Sequence, residues 1–175
     1  MRTLYLPFGL GLLLSLGAAQ TVLVDGTSNA GSFESGNACN TGTFTADGWT
    51  IVNGTQTNRW AVGTAAGAQH GSRAIYITDA GTCNTHNYNI SSTSVVHFYR
   101  DVTLPAGQPY LNISAWIKVN GEGCCDYLDI FVAPTSVTPS AGTEVDATYR
   151  IGRYNLLGTN WTQINALFCG TAGQS

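Results

Sequence analysis

Ser94 to Glu144 reads SVVHFYRDVTLPAGQPYLNISAWIKVNGEGCCDYLDIFVAPTSVTPSAGTE. Inside it, Leu111, Ile113, Ala115, Ile117 and Val119 are small or apolar at every second position, with Asn112, Ser114, Trp116 and Lys118 between them. Successive side chains of a strand point to opposite faces, so this pattern buries one face and leaves the other to solvent or a second layer. After the turn signal Asn120-Gly121 a second alternating run follows. It sets Leu128, Ile130 and Val132 on one side and Tyr127, Asp129 and Phe131 on the other. Two half-buried strands in series predict an all-β fold, an antiparallel two-sheet β-sandwich, rather than a catalytic α/β unit.

Working outward, the same alternation predicts strands near Thr21–Asp25, Thr50–Val52, Arg59–Val62, Ala74–Thr78, Val95–Leu104, Leu111–Val119, Tyr127–Val132, Ala147–Ile151 and Thr162–Phe168. Asp25-Gly26, Asp47-Gly48, Asn53-Gly54 and Pro105-Ala106-Gly107 punctuate them. Two irregular polar stretches interrupt the series, residues 26–47 around Cys39 and residues 79–92 around Cys83. No repeat, linker or second domain is evident.

The first nineteen residues have the three parts of a secretory signal. Arg2 is the charged end, Leu4 to Leu16 the apolar centre, and Gly17-Ala18-Ala19 the small residues before cleavage. Residues 20–175 are then expected to form a single exported domain with no transmembrane segment, since the apolar centre is short and broken by Pro7, Gly9 and Gly11. Only 10% of residues are charged, Lys118 is the sole lysine, and the net charge is −3. With no basic cluster, nucleic acid and anionic membranes are excluded as expected partners.

In an exported chain the five cysteines, Cys39, Cys83, Cys124, Cys125 and Cys169, are first read as disulfide partners with one thiol left over. Because Cys124 and Cys125 are adjacent, at least one of them is expected to reach a distant partner. A Cys39–Cys83 bridge would tie the two irregular stretches together. Neither C-x-x-C nor a His-Cys spacing is present, which argues against zinc.

Candidate site residues fall into two groups. Trp116 lies on the polar face of its strand, and Tyr127, Asp129 and Phe131 lie on the corresponding face of the next run. One surface is therefore expected to present all four to a ligand. Trp49 and Trp60 read as core. Among the acids, Asp25, Glu34 and Asp126 offer oxygen ligands for one structural Ca²⁺. The plainer reading makes Glu34 and Asp126 turn acceptors, and the lack of a DxDxDG-type loop weighs toward it.

His70, His86 and His97 have no partner spacing, and His97 reads as a hydrogen-bonded sandwich residue. No G-x-S-x-G elbow occurs. Asp126 and Asp129 are three apart on a strand, which sets them on opposite faces and disfavours a glycosidase pair. Four Asn-x-Ser/Thr sequons, at Asn53, Asn89, Asn112 and Asn160, would have to be exposed to carry glycan.

An ordered series of segments runs through most of the chain: FESG (Phe33 to Gly36), GWTIVNG (Gly48 to Gly54), QTNRWAVG (Gln56 to Gly63), AIYITDAGT (Ala74 to Thr82), HFYRDV (His97 to Val102), GE (Gly121-Glu122) and DYLDIFVAPTSVTPSAGTE (Asp126 to Glu144). As a set it resembles the MAM-like jelly-roll domains of secreted surface proteins from Bacteroidetes-type bacteria, which are also similar to adhesin-type and concanavalin-like sandwiches. The resemblance implies a two-sheet jelly roll outside the cell, no catalytic activity, and adhesion to an extracellular glycan or protein. Two departures stand out. The vicinal Cys124-Cys125 pair sits where such domains carry other residues, and an apolar closing strand is expected after Ser175 but is not in the sequence. The rival expectations are a module or catalytic part of an extracellular carbohydrate-active enzyme, and an inert spacer.

Overall fold

The computed structural model describes residues 20–27, 29–35, 47–108 and 110–170. The expected signal segment (residues 1–19) and Cys39 lie outside these residues. Among the described residues eight strands form: β1 (Thr50–Val52), β2 (Arg59–Gly63), β3 (Ala74–Thr78), β4 (His97–Tyr99), β5 (Tyr110–Val119), β6 (Leu128–Phe131), β7 (Arg150–Tyr154) and β8 (Gly158–Cys169). Helix is confined to short turns, including α1 (Asn29–Ser32) and a 3₁₀ turn at Ala147–Tyr149. The chain is all-β, and every strand pair among the described residues is antiparallel.

The pairing is nested twice. β1 pairs with β4 around the β2–β3 hairpin, and β5 pairs with β8 around β6–β7. An Asn-Gly turn signal alone would make β5 and β6 hairpin partners, and they are not. A two-residue hairpin turn requires the returning strand at once. Here Glu122 O instead accepts from both Cys125 N (3.2 Å) and Asp126 N (3.3 Å), which coils residues 122–126 before β6 begins. β5 is left to find β8, and the two stay in register from Tyr110↔Cys169 to Ile117↔Thr162, with an irregularity before Val119↔Gly158.

Three strand expectations change. The expected Val95–Leu104 strand forms only over His97–Tyr99. Thr21–Asp25 is not a strand, because the Asp25 carboxylate accepts from both the backbone N–H and the hydroxyl of Thr27 (2.8 Å each) and turns the chain. The Ala147–Ile151 run begins as the 3₁₀ turn, capped by the Asp146 carboxylate accepting from Thr148 N at 2.9 Å, so the strand starts only at Arg150.

The core is built on β2 and β3, whose alternate residues serve different clusters. Trp60, Val62 and Ile75 join Ile51, Phe33, Trp49 and Phe98 on one side, while Ala61 and Tyr76 join Cys83, Ala65 and Ala66 on the other. Phe98 is the hub of an aromatic cluster, with ring centroids 5.1 Å from Trp49 and 4.9 Å from Trp60, within the range where tilted and edge-on pairs attract. Trp49 and Trp60 therefore do pack as core residues. The turn from β1 to β2 is held by the buried Asn53 side chain. Its Nδ2 donates to Trp60 O (2.9 Å) and its Oδ1 accepts from Trp60 N (2.8 Å). That burial removes Asn53 from the exposed sequons, whereas Asn89, Asn112 and Asn160 are exposed.

Candidate functional site

The period-two pattern of β5 is realised residue by residue. Tyr110, Asn112, Ser114, Trp116 and Lys118 are exposed, while Leu111, Ile113, Ala115, Ile117 and Val119 are half-buried. β8 alternates in step. Ile164 and Ala166 are buried, and Gln163, Asn165, Leu167 and Cys169 are exposed. Register then fixes the neighbours on the outer face: Trp116 opposite Gln163, Ser114 opposite Asn165, and Asn112 opposite Leu167. Gln163 Nε2 donates to Ser114 Oγ (3.1 Å), and the Lys118 ammonium lies 4.6 Å from the Trp161 ring centre.

The result is a ribbon two side chains wide. From Tyr110 to Lys118 it runs about 26 Å at the usual rise per strand residue. Tyr110 is 64% exposed, Leu167 62% and Trp116 45%, which is high for large apolar side chains. Between them lie amides and hydroxyls, and the one charge on the ribbon is spent against an indole. Aromatic rings beside neutral hydrogen-bonding groups offer a stacking surface together with donors and acceptors.

Of the expected ligand residues, only Trp116 belongs to this ribbon. Tyr127, Asp129 and Phe131 lie on or next to β6, which pairs with β7 and not with β5. Their polar groups are already engaged. Asp129 takes a bidentate pair from Arg153, Nε to Oδ1 at 2.7 Å and Nη2 to Oδ2 at 2.6 Å, with Arg150 Nη1 at 3.5 Å. The Arg153 guanidinium in turn stands 4.2 Å from the Tyr127 ring centre, and the Tyr127 hydroxyl donates to Cys124 O. Asp129 holds Arg153 more firmly protonated than usual. Phe131 is half-buried opposite Arg150. This group braces β6 against β7.

Sequence reasoning missed Tyr110, Leu167, Gln163 and Asn165. The signal was present: residues 162–168 alternate as clearly as residues 111–119. What was lacking was the knowledge that these two runs are partners.

The three acids expected to hold calcium serve separate turns. Asp25 closes on Thr27, and the hydrogen bonds from Thr27 keep its carboxyl below the usual carboxylate range. Glu34 reaches across the chain to the β2–β3 loop, accepting from Ser72 Oγ (2.7 Å), Ser72 N (2.8 Å) and Arg73 N (2.8 Å). The Ser72 hydroxyl, followed by these amides, holds its pKa down. The loop meets Glu34 at Gly71, whose φ of +75° and lack of a Cβ both matter, since a Cβ there would strike the Glu34 carboxylate. Asp126 Oδ2 accepts from Tyr88 Oη (2.8 Å) and Glu122 N (2.8 Å), and that bond raises the Tyr88 pKa. His97 Nε2 faces the carbonyl oxygens of Ser140 (3.2 Å) and Thr143 (2.9 Å), as a positioned strand residue would.

Next to Asp126 is a polar cavity of about 200 Å³ lined by Asn58, Ser92, Ser94, Glu122, Cys125 and Asp126 among others. Its loop wall is organised by the buried Asn58. The side-chain Nδ2 donates to Asn89 O (3.0 Å) and Ser92 O (3.1 Å), Oδ1 accepts from Asn89 N (2.7 Å), and the Asn58 backbone N–H donates to Ser94 Oγ (3.1 Å). At its rim the Sγ atoms of Cys124 and Cys125 stand at bonding distance, 2.20 Å. The expectation that one of this pair reaches a distant cysteine is therefore corrected: the 122–126 coil places the two thiols beside each other. Cys83 is disulfide-bonded, and Cys169 is free and exposed at the end of the ribbon, opposite Tyr110.

Compared with protein-family models, curated proteins and solved structures, the chain matches none of them.

Proposed function

We propose that this chain is a secreted, non-catalytic adhesion domain that holds an extracellular glycan on the outer face of β5 and β8. In this reading the four antiparallel pairs belong to a two-sheet sandwich of the MAM-like jelly-roll kind, supported by the ordered sequence series and the all-β content. The observation that carries the glycan reading is the exposed ribbon of Tyr110, Trp116 and Leu167, set among Asn112, Ser114, Gln163 and Asn165. Exposed aromatics of this size usually anchor a ligand, and neutral hydrogen-bonding neighbours suit a neutral polyhydroxyl partner better than a charged one.

A glycan array and a panel of matrix proteins, probed with the purified chain with and without chelator, test this reading. Binding to a glycan that Trp116→Ala weakens about tenfold, with thermal stability unchanged, is the expected outcome. The factor follows from covering roughly 50 Å² of the indole at about 25 cal/mol per Å², about 1.3 kcal/mol. Binding to a protein alone would replace the glycan by a protein ligand, and no binding at all would leave the spacer. A structural Ca²⁺ on Asp25, Glu34 or Asp126 is tested by the chelator arm. The hydrogen bonds those acids already make favour turn-holding roles.

A further inference from the structure

Glu122, Cys124 and Cys125 each offer one ligand atom, and the three atoms lie within 4.8 Å of one another, all exposed. While the sulfurs are bonded to each other they are not thiolates and make poor ligands. We propose that the Cys124–Cys125 disulfide is a reducible cover over a three-ligand site for a borderline-soft divalent cation, Zn²⁺ by the chemistry of its donors, which exists only in the dithiol form.

The disulfide is placed to act and not to staple. Its cysteines are one residue apart, so it closes almost no loop, and loop closure is what makes a crosslink stabilising. Exposed disulfides are also the ones that exchange readily. The turn that carries it does not depend on it. Glu122 O holds the amides of Cys125 and Asp126, Asp126 Oδ2 holds Glu122 N, Tyr127 Oη holds Cys124 O, and Asn155 Nδ2 donates to Gly123 O at 3.0 Å. Breaking the sulfur–sulfur bond therefore leaves the backbone of residues 122–126 held, and the two sulfurs part by side-chain rotation to the spacing a shared cation needs.

A dithiol reductant supplies the two electrons. Its thiolate attacks one sulfur, the Sγ–Sγ bond breaks, each cysteine sulfur takes a proton, and the reductant leaves as its own disulfide. Zn²⁺ then displaces the two thiol protons to solvent. Two sulfurs at about 2.3 Å and one carboxylate oxygen at about 2.1 Å make three corners of a tetrahedron, with water at the fourth. Two thiolates tip the preference from Ca²⁺ or Mg²⁺ toward Zn²⁺. Asp126 is committed to Tyr88 and the Glu122 amide and stays outside the set.

The test uses the whole chain with Cys169→Ser, which removes the exposed free thiol. Co²⁺ serves as the optical probe, added before and after brief treatment with dithiothreitol and anaerobic desalting. The reduced chain is expected to show sulfur-to-cobalt charge-transfer absorption at one Co²⁺ per chain, bleached by Zn²⁺, and the oxidised chain none. Glu122→Gln should weaken binding by more than the roughly tenfold that losing an outer hydrogen-bond partner costs. Cys124→Ser/Cys125→Ser should abolish the band, which assigns it to this pair and not to Cys83. The proposal is overturned if the band survives in that double variant, or if the oxidised chain gives the same band. It is equally overturned if alkylation and mass mapping find Cys124 and Cys125 still bonded after treatment, or if reduction abolishes the far-ultraviolet β spectrum.

Discussion

Replacing Asn58 with leucine keeps the branched side-chain shape and removes the three side-chain hydrogen bonds that hold Asn89 and Ser92, while the Asn58 backbone N–H still reaches Ser94 Oγ. Asn58 is 8% exposed, so its amide is shielded from water. The backbone N–H of Asn89 loses its acceptor and Ser92 O loses its donor, while Asn89 O keeps a 3.3 Å bond from Ser92 N. Two stranded backbone groups at about 1–1.5 kcal/mol each, the low end because the loop is partly wet, cost about 2–3 kcal/mol. For a domain of this size that is a fall in Tm of roughly 4–12 °C. Urea denaturation measures the loss, and amide exchange locates it, with the acceleration at Asn89 and its neighbours expected to exceed that in β2 or β3. A loss below about 0.5 kcal/mol, within the range of ordinary surface substitutions, would refute the reasoning. So would unchanged exchange at Asn89, because the loop would then be held by something other than this side chain.

Two further outcomes follow from the other tethers. Glu34 binds its proton less readily folded than unfolded, because Ser72 and Arg73 donate to its carboxylate. Its contribution is therefore complete above its ordinary pKa of 4.5 and lost as pH falls through the lower folded value. Glu34→Gln should thus destabilise at pH 7, with the gap to the parent closing at the acid end of the curve, and a gap independent of pH would count against the tether. Asp129→Asn should cost about 1 kcal/mol in thermal denaturation, since the bidentate acceptor is 16% exposed but both arginines are partly solvated. The loss should shrink in high salt, and no salt dependence would mean that the ion pair does not brace β6 against β7.

Strand existence was legible because side-chain alternation is local. Thr50–Val52, Ala74–Thr78 and residues 111–119 carry their own period of two, and each became a strand. Thr21–Asp25 failed for an equally local reason that was underweighted, the habit of aspartate to bond an amide two residues on. The core role of Trp49 and Trp60 was readable from size and greasiness. The site was only partly readable. Trp116 stood out by its place on the polar face, but the grouping with Tyr127, Asp129 and Phe131 assumed that strands adjacent in sequence are adjacent in the sheet.

By itself, then, the amino-acid order determined which residues extend, which of their faces are apolar, and that Trp116 points outward. Those properties depend on nothing farther than a few residues away. Only the tertiary structure decided that β5 takes β8 as its partner, which set Gln163, Asn165 and Leu167 beside Trp116, and that β6 turns Tyr127 and Asp129 toward Arg153. It also decided that Cys124 bonds its own neighbour. The physical reason is shared by all three. Pairing between distant segments is settled by what the intervening chain does, and here five residues coiled around one carbonyl, Glu122 O, sent the chain elsewhere.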